Sequence, residues 1–455
     1  MPETPPHARS PRRRRVLRAL AGFTLAAVAL LSWLWLDVLA GPDEPLDDPA
    51  KPLPLYRADS KDEGPLLAGA AKVDITPEKP GYLAGFGQGR KSTGVHDRLH
   101  ARALVLERGG LRIGLVVCDL IGLGLADVEK AKALVKSCLP PHVIVASTHD
   151  HAGPDTLGFW GEAFVVSGRD EAYLETLRAR IAEAVDAASA RLEPARIALA
   201  SGPVPDGVAR NARRADLIDR EVSVLAVDAV DDGAPIATLV NFGMHPEALG
   251  SKNTLITADF PHYLCARVEE RRGGGVCVFA NGALGGMVTV DLRPDEKGTF
   301  AAAERAGTAV ADAALAALAG ARPLEAAPRL ALRRSPLRIA STNRFINLFA
   351  MLGRFGRPLD GGVLTTPIVA VAIGPADLVT VPGEILPGPG LELKSRLAGR
   401  PRFLVSLAEE ELGYLIAAKD FDDDLYDYER GWCLGRDAAD RIGARAAALA
   451  ATLRE

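Results

Sequence analysis

Short apolar segments alternate with alanine-rich segments over most of the 455 residues, and this alternation restricts the fold more than any other feature. Six apolar segments rich in β-branched residues predict buried strands: ARALVLE, RIGLVVCDL, HVIVAST, EVSVLAVDAV, IATLVNFG and GVCVFA. Residues 126–136, 171–188, 300–318 and 438–453 predict helices. Because the strands are almost continuously apolar, we expect sheets that are covered on both faces. The sequence therefore predicts one large α/β domain over residues 66–455, with mixed β-sheets flanked by helices.

The first 40 residues carry the charge pattern of an export segment. Five arginines within residues 12–18 precede the uncharged residues 19–36, ALAGFTLAAVALLSWLWL. A run of 18 residues is about the minimum that spans a hydrocarbon core, and the arginines favour a cytoplasmic N-terminus. We expect residues 1–40 to form a basic cytoplasmic stub and a transmembrane signal-anchor. The alternative is a signal peptide cleaved after Ala40, which would give a secreted protein. In both cases the body lies outside the cytoplasm, on the periplasmic or extracellular face.

Composition limits the kinds of partner and metal site that this chain can have. Residues 41–65 are rich in proline and aspartate and predict a semi-extended tether. The net charge of −4 provides no broad basic surface for nucleic acid. The five cysteines contain no C-x-x-C pair, so a thiolate metal site is not expected. We expect Cys118 and Cys277 in the core, while an oxidising compartment would allow a disulfide among the others.

Polar residues that can bind a metal follow several of the predicted strands. In VIVASTHDHAGPD, His149 and His151 come where the strand ends, and side chains two positions apart in an extended segment point the same way. Three residues share this placement: His245 in NFGMHPEALG, Glu384 in VPGEILPG and Tyr414 in EEELGYLIAAKD. Zinc binds imidazole nitrogen and carboxylate oxygen, so these residues are candidates for a zinc site. Taken singly, His149 and His151 could also be a pair of capped surface histidines, and His245 could be a structural residue.

An H-x-H pair also begins the metallo-β-lactamase motif H-x-H-x-D-H. That motif needs aspartate and histidine at the positions that Gly153 and Pro154 occupy here. The residues that hold its second metal are therefore missing, and this alternative is excluded.

Five ordered motifs resemble those of the neutral, non-lysosomal ceramidases. STHDHAGP resembles their THTHSGP motif, and GVHDRLHARALVLE resembles their GIH-x-R-x-x-ARA-x-V segment. NFGMHPEALGSKNTLITADF resembles F-x-x-H-P-x-x-M-x-x-x-N-x-L-x-x-SDN, while VPGE and LGYLIAAKDFDDDLYDYER resemble the PGE and H-Y-x-T-x-x-E-Y…YE segments. The order and spacing fit from residue 69 to residue 436, which is most of the chain. The chain is thus similar to the N-terminal catalytic domain of this family.

The resemblance implies a single zinc ion per chain and assigns roles to particular residues. The implied zinc ligands are His149, His245, Glu384 and Tyr414. His151 would be catalytic and face the scissile amide. Arg214 in RNARR is the expected catalytic arginine, and Arg213 beside it is an expected substrate contact. His96 in GVHDRLH and Tyr428 in DYER are further expected substrate contacts.

The chain departs from the family at the position of the family's nucleophile-like serine. The G-D-V-S-P motif matches GGMVT here, so Gly286 replaces the aspartate and Val288 replaces the serine. Thr289, one position further on, is the remaining catalytic hydroxyl. Because a β-branched threonine is a crowded nucleophile, we expect water activated by zinc to attack instead.

These features predict a zinc-dependent amidohydrolase that cleaves an N-acylated sphingolipid, such as ceramide, into fatty acid and amine at a membrane. Two alternatives stay open: a zinc hydrolase of a non-lipid amide or ester, and a non-catalytic secreted binding homologue. Residues 343–355, NRFINLFAMLGRF, predict either a buried helix or a hydrophobic lip near the pocket that contacts lipid.

Overall fold

Strands and helices alternate along the chain as the apolar pattern predicts. The computed structural model describes residues 11–33, 46–51, 54–163, 166–296, 298–324, 327–353, 357 and 359–455. Its strands are β1 (Tyr56–Asp59), β2 (Leu67–Asp74), β3 (Gly94–Val95), β4 (His100–Arg108), β5 (Leu111–Cys118), β6 (Val143–Ser147), β7 (Glu193–Pro203), β8 (Ala209–Asn211), β9 (Glu221–Ala229), β10 (Pro235–Phe242), β11 (Leu255–Ile256), β12 (Val276–Asn281), β13 (Val288–Val290), β14 (Leu330–Ala340), β15 (Val363–Ile373), β16 (Ala376–Thr380), β17 (Glu384–Ile385), β18 (Arg402–Val405) and β19 (Tyr414–Leu415). Its α-helices are α1 (Pro11–Trp33), α2 (Leu125–Leu134), α3 (Glu171–Ser189), α4 (Phe260–Arg272), α5 (Phe300–Ala319), α6 (Arg344–Met351), α7 (Pro387–Arg396), α8 (Asp427–Gly431) and α9 (Ala438–Ala451).

Two large sheets form the centre of the described structure. The eight-stranded sheet has the order β12-β10-β9-β7-β2-β4-β5-β6. Its pairs β10–β12 and β5–β6 are parallel, and its other pairs are antiparallel. The five-stranded sheet has the order β1-β14-β15-β16-β18, with β16–β18 parallel. The predicted mixed α/β fold is therefore confirmed.

The hydrophobic core lies between the two sheets and on their outer faces. Along β4, Leu104 and Leu106 belong to the cluster between the sheets, whereas Ala103 and Val105 pack with α2 and α3 on the other side. This alternation follows from the two-residue period of a strand. Helices α4 and α5 cover the rest of that outer face, and α7 and α9 cover the five-stranded sheet. The layers thus run helix, sheet, sheet, helix.

The predicted elements agree with the structure in type and position. All six predicted strands and all four predicted helices are present, with ends that differ by two residues or fewer. All five cysteines are buried and none forms a disulfide, so Cys118 and Cys277 lie in the core as expected.

The N-terminal segment agrees with its prediction less well. Helix α1 covers much of the predicted span, but no helix among the described residues is both long and apolar enough to cross a membrane. The predicted transmembrane helix is therefore not supported. Residues 34–45, which include the possible cleavage site at Ala40, lie outside the described residues. The segment predicted as a tether contributes β1 to the five-stranded sheet, and Asp47 pairs with Arg445 of α9 at 2.6 Å.

Candidate metal centre

Two strand ends that carry histidines approach each other because the eight-stranded sheet curls until its edge strands β12 and β6 are in contact. His149 follows β6 at one edge of this sheet, and His245 follows β10 near the opposite edge. Asn281, at the end of β12, joins the two turns: its Nδ2 donates to the carbonyl oxygens of Thr148 (2.8 Å) and Met244 (2.9 Å). The residues that precede the two histidines are thus held by one amide, and the imidazole centroids lie 4.9 Å apart.

Glu384 reaches the same point from a distant part of the chain. It begins β17, which pairs in parallel with β19 so that Glu384 lies opposite Tyr414. Its Oε2 is 3.0 Å from His245 Nε2 and 3.2 Å from His149 Nε2. The four side chains are buried. The structure therefore brings two imidazoles and one carboxylate into direct contact, with the tyrosine on the neighbouring strand.

The hydrogen bonds of the two histidines suit metal ligands. His149 Nδ1 donates to the carbonyl oxygen of Ile121 at 2.8 Å, and His245 Nδ1 donates to that of Val288 at 2.9 Å. Since a carbonyl only accepts, each Nδ1 carries a proton and each Nε2 points at Glu384 Oε2. Such nitrogen and oxygen atoms meet across a proton or a metal cation. A backbone carbonyl on the far nitrogen is also the usual support of a metal-binding histidine.

The spacing of these atoms fits zinc. Tetrahedral zinc with bonds of about 2.0–2.1 Å places neighbouring ligand atoms about 3.3 Å apart. The separations of 3.0 and 3.2 Å between Glu384 Oε2 and the two Nε2 atoms are close to this value. His151 lies beside them, since ligand-capable nitrogens of His149, His151 and His245 are all within 4.8 Å of one another. Neither ring nitrogen of His151 has a hydrogen-bond partner among the described residues, so this imidazole is available to a metal or to a substrate.

The electrostatics follow from the close approach. Burial raises the pKa of Glu384, but the neighbouring His149 and His245 lower it more, to well below its usual range. Burial lowers the pKa of His245, yet the hydrogen bond to Glu384 and the charges of Glu247 and Glu384 raise it to about 9. A proton on His245 thus occupies the position that a metal would take, and metal binding would release it. Burial, together with the other two histidines, lowers the pKa of His151 well below its usual value.

Two backbone conformations position the H-x-H turn. His149 has a left-handed φ of 71°, a conformation that costs free energy for a non-glycine residue and is typical of functional sites. Gly85, with φ of 93°, lies against His151: a Cβ atom at Gly85 would be 2.4 Å from the Cγ of the imidazole. Glycine at this position therefore allows the chain to approach the ring.

A cavity of about 410 Å³ opens onto this group. Most of its wall is apolar or aromatic, and among the described residues no lysine or arginine lines it. The aromatic part comprises Phe86, Phe159, Trp160, Phe349, Tyr414, Tyr428 and Trp432. The carboxylates are Glu247, Glu384 and Glu411. The cavity thus places a long apolar surface beside a cluster of metal-binding groups.

Residues 66–287 match the family described as neutral/alkaline non-lysosomal ceramidase, N-terminal. Over these residues the expected resemblance to the neutral ceramidases is confirmed. Neutral ceramidase from Pseudomonas aeruginosa has a similar structure, with a TM-score of 0.70 and 21% identity over 86% of this chain and 75% of that chain. A ceramidase complexed with C2 is similar to the same degree, with a TM-score of 0.70 and 20% identity over 86% and 76% of the two chains. The likeness to these structures shows a shared fold.

The structure places the predicted substrate contact Tyr428 on the cavity wall but not the two predicted arginines. Tyr428 lines it, with its ring 5.9 Å from that of Tyr414. Arg213 does not line it and instead donates from Nε to Glu429 at 2.8 Å. Arg214 also lies outside the lining, with its nearest carboxylate oxygen, on Asp216, at 3.9 Å. The roles assigned to both arginines stay predictions.

Two other predicted residues lie outside the cavity wall. His96 stacks on Phe300 with ring centroids 3.6 Å apart and shares a 2.9 Å hydrogen bond with Asp97. Thr289 is buried in β13, where it forms a backbone bridge with His245. The structure thus places no hydroxyl of Thr289 on the wall where a substrate would lie.

Helix α6 combines both interpretations of residues 343–355. Its Ile346 and Phe349 are buried and line the cavity. Phe345, Met351 and Leu352 are more than half exposed. One side of this segment is therefore cavity wall and the other an exposed apolar surface, while residues 354–356 lie outside the described residues.

The motifs of the ceramidase family did not indicate two further residues of the site, Glu247 and Glu411. Glu247 Oε2 lies 3.7 Å from His151 Nδ1. Glu411 lines the cavity, and its buried Oε2 has no hydrogen-bond partner within the described ranges. Their sequence signals are modest: a glutamate after His-Pro, and the last residue of a run of three glutamates.

Proposed function

We propose that this chain is a zinc-dependent amidohydrolase that cleaves the amide bond of an N-acyl lipid such as ceramide, giving a fatty acid and an amine. The observation that carries the proposal is the contact of Glu384 Oε2 with both His149 Nε2 and His245 Nε2 beneath an apolar cavity. The match of residues 66–287 to the neutral ceramidase family supports the choice of bond and substrate.

The residues that would hold zinc are His149, His245 and Glu384, with Tyr414 as the fourth ligand. Zinc supplies a Lewis acid for the amide carbonyl and activates water near neutral pH. The carbonyl oxygens of Ile121 and Val288 fix the two imidazoles, so little reorganisation is needed when charge develops.

His151 is the residue placed to move a proton. Its two nitrogens are unpaired, it lines the cavity, and Glu247 lies 3.7 Å from its Nδ1. An imidazole in this position can take a proton from the attacking water and pass it to the departing amine. Water is the nucleophile in this scheme, since Thr289 does not line the cavity.

The lining of the cavity favours a lipid over a water-soluble amide. The apolar wall is formed by Phe159, Trp160, Phe349 and Trp432. The ring of Phe159 packs edge-on against those of Phe349 and Trp432. Burying an acyl chain there gains about 25 cal/mol for each Å² of apolar surface removed from water. A short hydrophilic amide would leave most of this surface unused.

The test is hydrolysis of C12 ceramide in mixed micelles by the full chain, with released lauric acid measured by mass spectrometry. We expect turnover that a chelator abolishes and zinc restores, and no turnover by His245→Ala. Hydrolysis of water-soluble amides alone would favour the non-lipid alternative. Binding of ceramide without turnover by the zinc-loaded protein would instead identify a binding homologue.

A further inference from the structure

Three consecutive glutamates, Glu409 to Glu411, precede Tyr414, and two of them form ion pairs with a lysine or arginine side chain. Glu409 is paired with Lys132 at 2.5 Å and with Arg334 at 2.7 Å. Glu410 lies 3.6 Å from Arg357. Among the described residues no lysine, arginine or histidine forms an ion pair with the third, Glu411. The first two glutamates therefore hold the fold together in a way that the third does not.

Glu411 is also the member of this run that lines the cavity. Its Oε1 accepts a hydrogen bond from the backbone N–H of Gly413 at 2.7 Å, while its Oε2 is buried and has no partner in the described part of the chain. A buried polar atom without a partner costs free energy unless a ligand or water satisfies it. The backbone of Gly122 packs against the Glu411 side chain, where an added Cβ would lie 2.7 Å from the Cβ of Glu411. The orientation of the carboxyl group is therefore restricted.

Glu247 supplies a second carboxylate to the lining of the cavity. It lies beside His151, which is nine-tenths buried and has no partner for either ring nitrogen. Arg90, behind His151, does not compensate these acids, because it donates to the carbonyl oxygens of Ala84, His151 and Asn253. Among the described residues, the cavity thus presents two carboxyl groups that no lysine or arginine neutralises.

We propose that Glu247 and Glu411 form a subsite for the amine half of the substrate, which they bind through its hydroxyl or ammonium hydrogens. This inference rests on the proposed amide hydrolysis. A carboxyl oxygen accepts a hydrogen bond from either group, whether or not its partner oxygen is protonated. An apolar acyl chain has no hydrogen-bond donor for these oxygens, so we expect it to pack against the aromatic wall. A carboxylate on the amine half would meet acidic groups with no lysine or arginine on the wall.

Three amides that share one acyl chain separate these properties: N-lauroylethanolamine, N-lauroylpropylamine and N-lauroylglycine. We expect the zinc-loaded full chain to favour the ethanolamide over the propylamide by at least tenfold in kcat/KM, and to hydrolyse the glycine amide least. Glu411→Leu and Glu247→Leu should each bring the ethanolamide-to-propylamide ratio towards one. Glu411→Gln, which keeps an acceptor, should preserve most of the ratio.

The control is Glu410→Gln, which removes a neighbouring buried carboxylate that lies outside the cavity wall and should leave the ratio unchanged. A wild-type ratio within twofold of one, or a ratio that persists in both leucine variants, would overturn the subsite. If C12 ceramide and all three amides resist hydrolysis, the proposed function fails, and tryptophan fluorescence from Trp160 and Trp432 then measures binding of the amides directly. Equal affinities for the ethanolamide and the propylamide would overturn the subsite in that case also.

Discussion

Replacement of Gly85 by alanine tests whether His151 is catalytic or a metal ligand. The new Cβ would lie 2.4 Å from Cγ and 2.5 Å from Nδ1 of His151. Carbon atoms in contact are normally about 3.5–4.0 Å apart, so the ring must move by about 1 Å. A positive φ of 93° adds strain for alanine, about 1–3 kcal/mol of lost stability.

A catalytic group displaced by about 1 Å costs roughly a hundredfold in rate, or about 2.7 kcal/mol in the barrier. We therefore expect Gly85→Ala to lower kcat/KM on C12 ceramide about a hundredfold while zinc content stays unchanged. Activity, zinc by elemental analysis and Tm are measured on the same preparation.

Gly87→Ala is the matched control, because a Cβ at Gly87 meets no atom within 4 Å although the residue also lines the cavity. It should retain activity and Tm. Full activity of Gly85→Ala would refute the placement of His151 as the proton-transfer group. Loss of zinc from Gly85→Ala would instead make His151 a ligand.

The remaining predictions concern the nucleophile, the lipid surface and the response to pH. Thr289→Ala should keep kcat/KM within about tenfold, or about 1.4 kcal/mol, and a thousandfold loss with zinc retained would make Thr289 the nucleophile. Leu352→Ser should slow hydrolysis of ceramide in vesicles but not of a soluble short-chain amide. Phe349→Ser should lower Tm and slow hydrolysis of both substrates. Equal effects of Leu352→Ser on the two substrates would contradict a lipid-contacting surface. Burial raises the pKa of Asp259 to about 7, so between about pH 4 and 7 the folded protein holds a proton that the unfolded chain releases, and stability falls as pH rises through this range. Asp259→Asn should therefore lessen the fall in Tm between about pH 5 and 7 in calorimetry, and an unchanged slope would contradict this.

The elements that could be predicted from sequence are those whose apolar pattern is local. Strands such as β4 and β10 are almost continuously apolar, and α5 is rich in alanine, so each is evident from its own residues. Strand β14 is less evident, because LALRRSPLRIA contains several arginines. Arg333 is buried there, and its partner at 3.0 Å is Asp59, which is far away in sequence. No local pattern contains that information.

The residues of the site also divide into those that a local sequence pattern predicts and those that depend on distant parts of the chain. His149 and His245 could be predicted from the sequence because each lies in a contiguous motif, in the turn that follows β6 or β10. The contact of Glu384 with both histidines depends on sheet curvature and on the pairing of β17 with β19. Glu411 differs from Glu409 and Glu410 only in which groups surround it, and three-dimensional packing decides that.

Zinc content is the most direct measurement of the central claim. The purified full chain should bind one zinc per chain by elemental analysis. His149→Ala and His245→Ala should each lose it, because an incomplete ligand set binds zinc poorly. His262→Ala is the control, since His262 lies outside the cavity wall beside Asp97 and its loss should leave zinc unchanged. Wild-type protein without zinc after incubation with the metal, or full zinc content in both ligand variants, would contradict the metal centre.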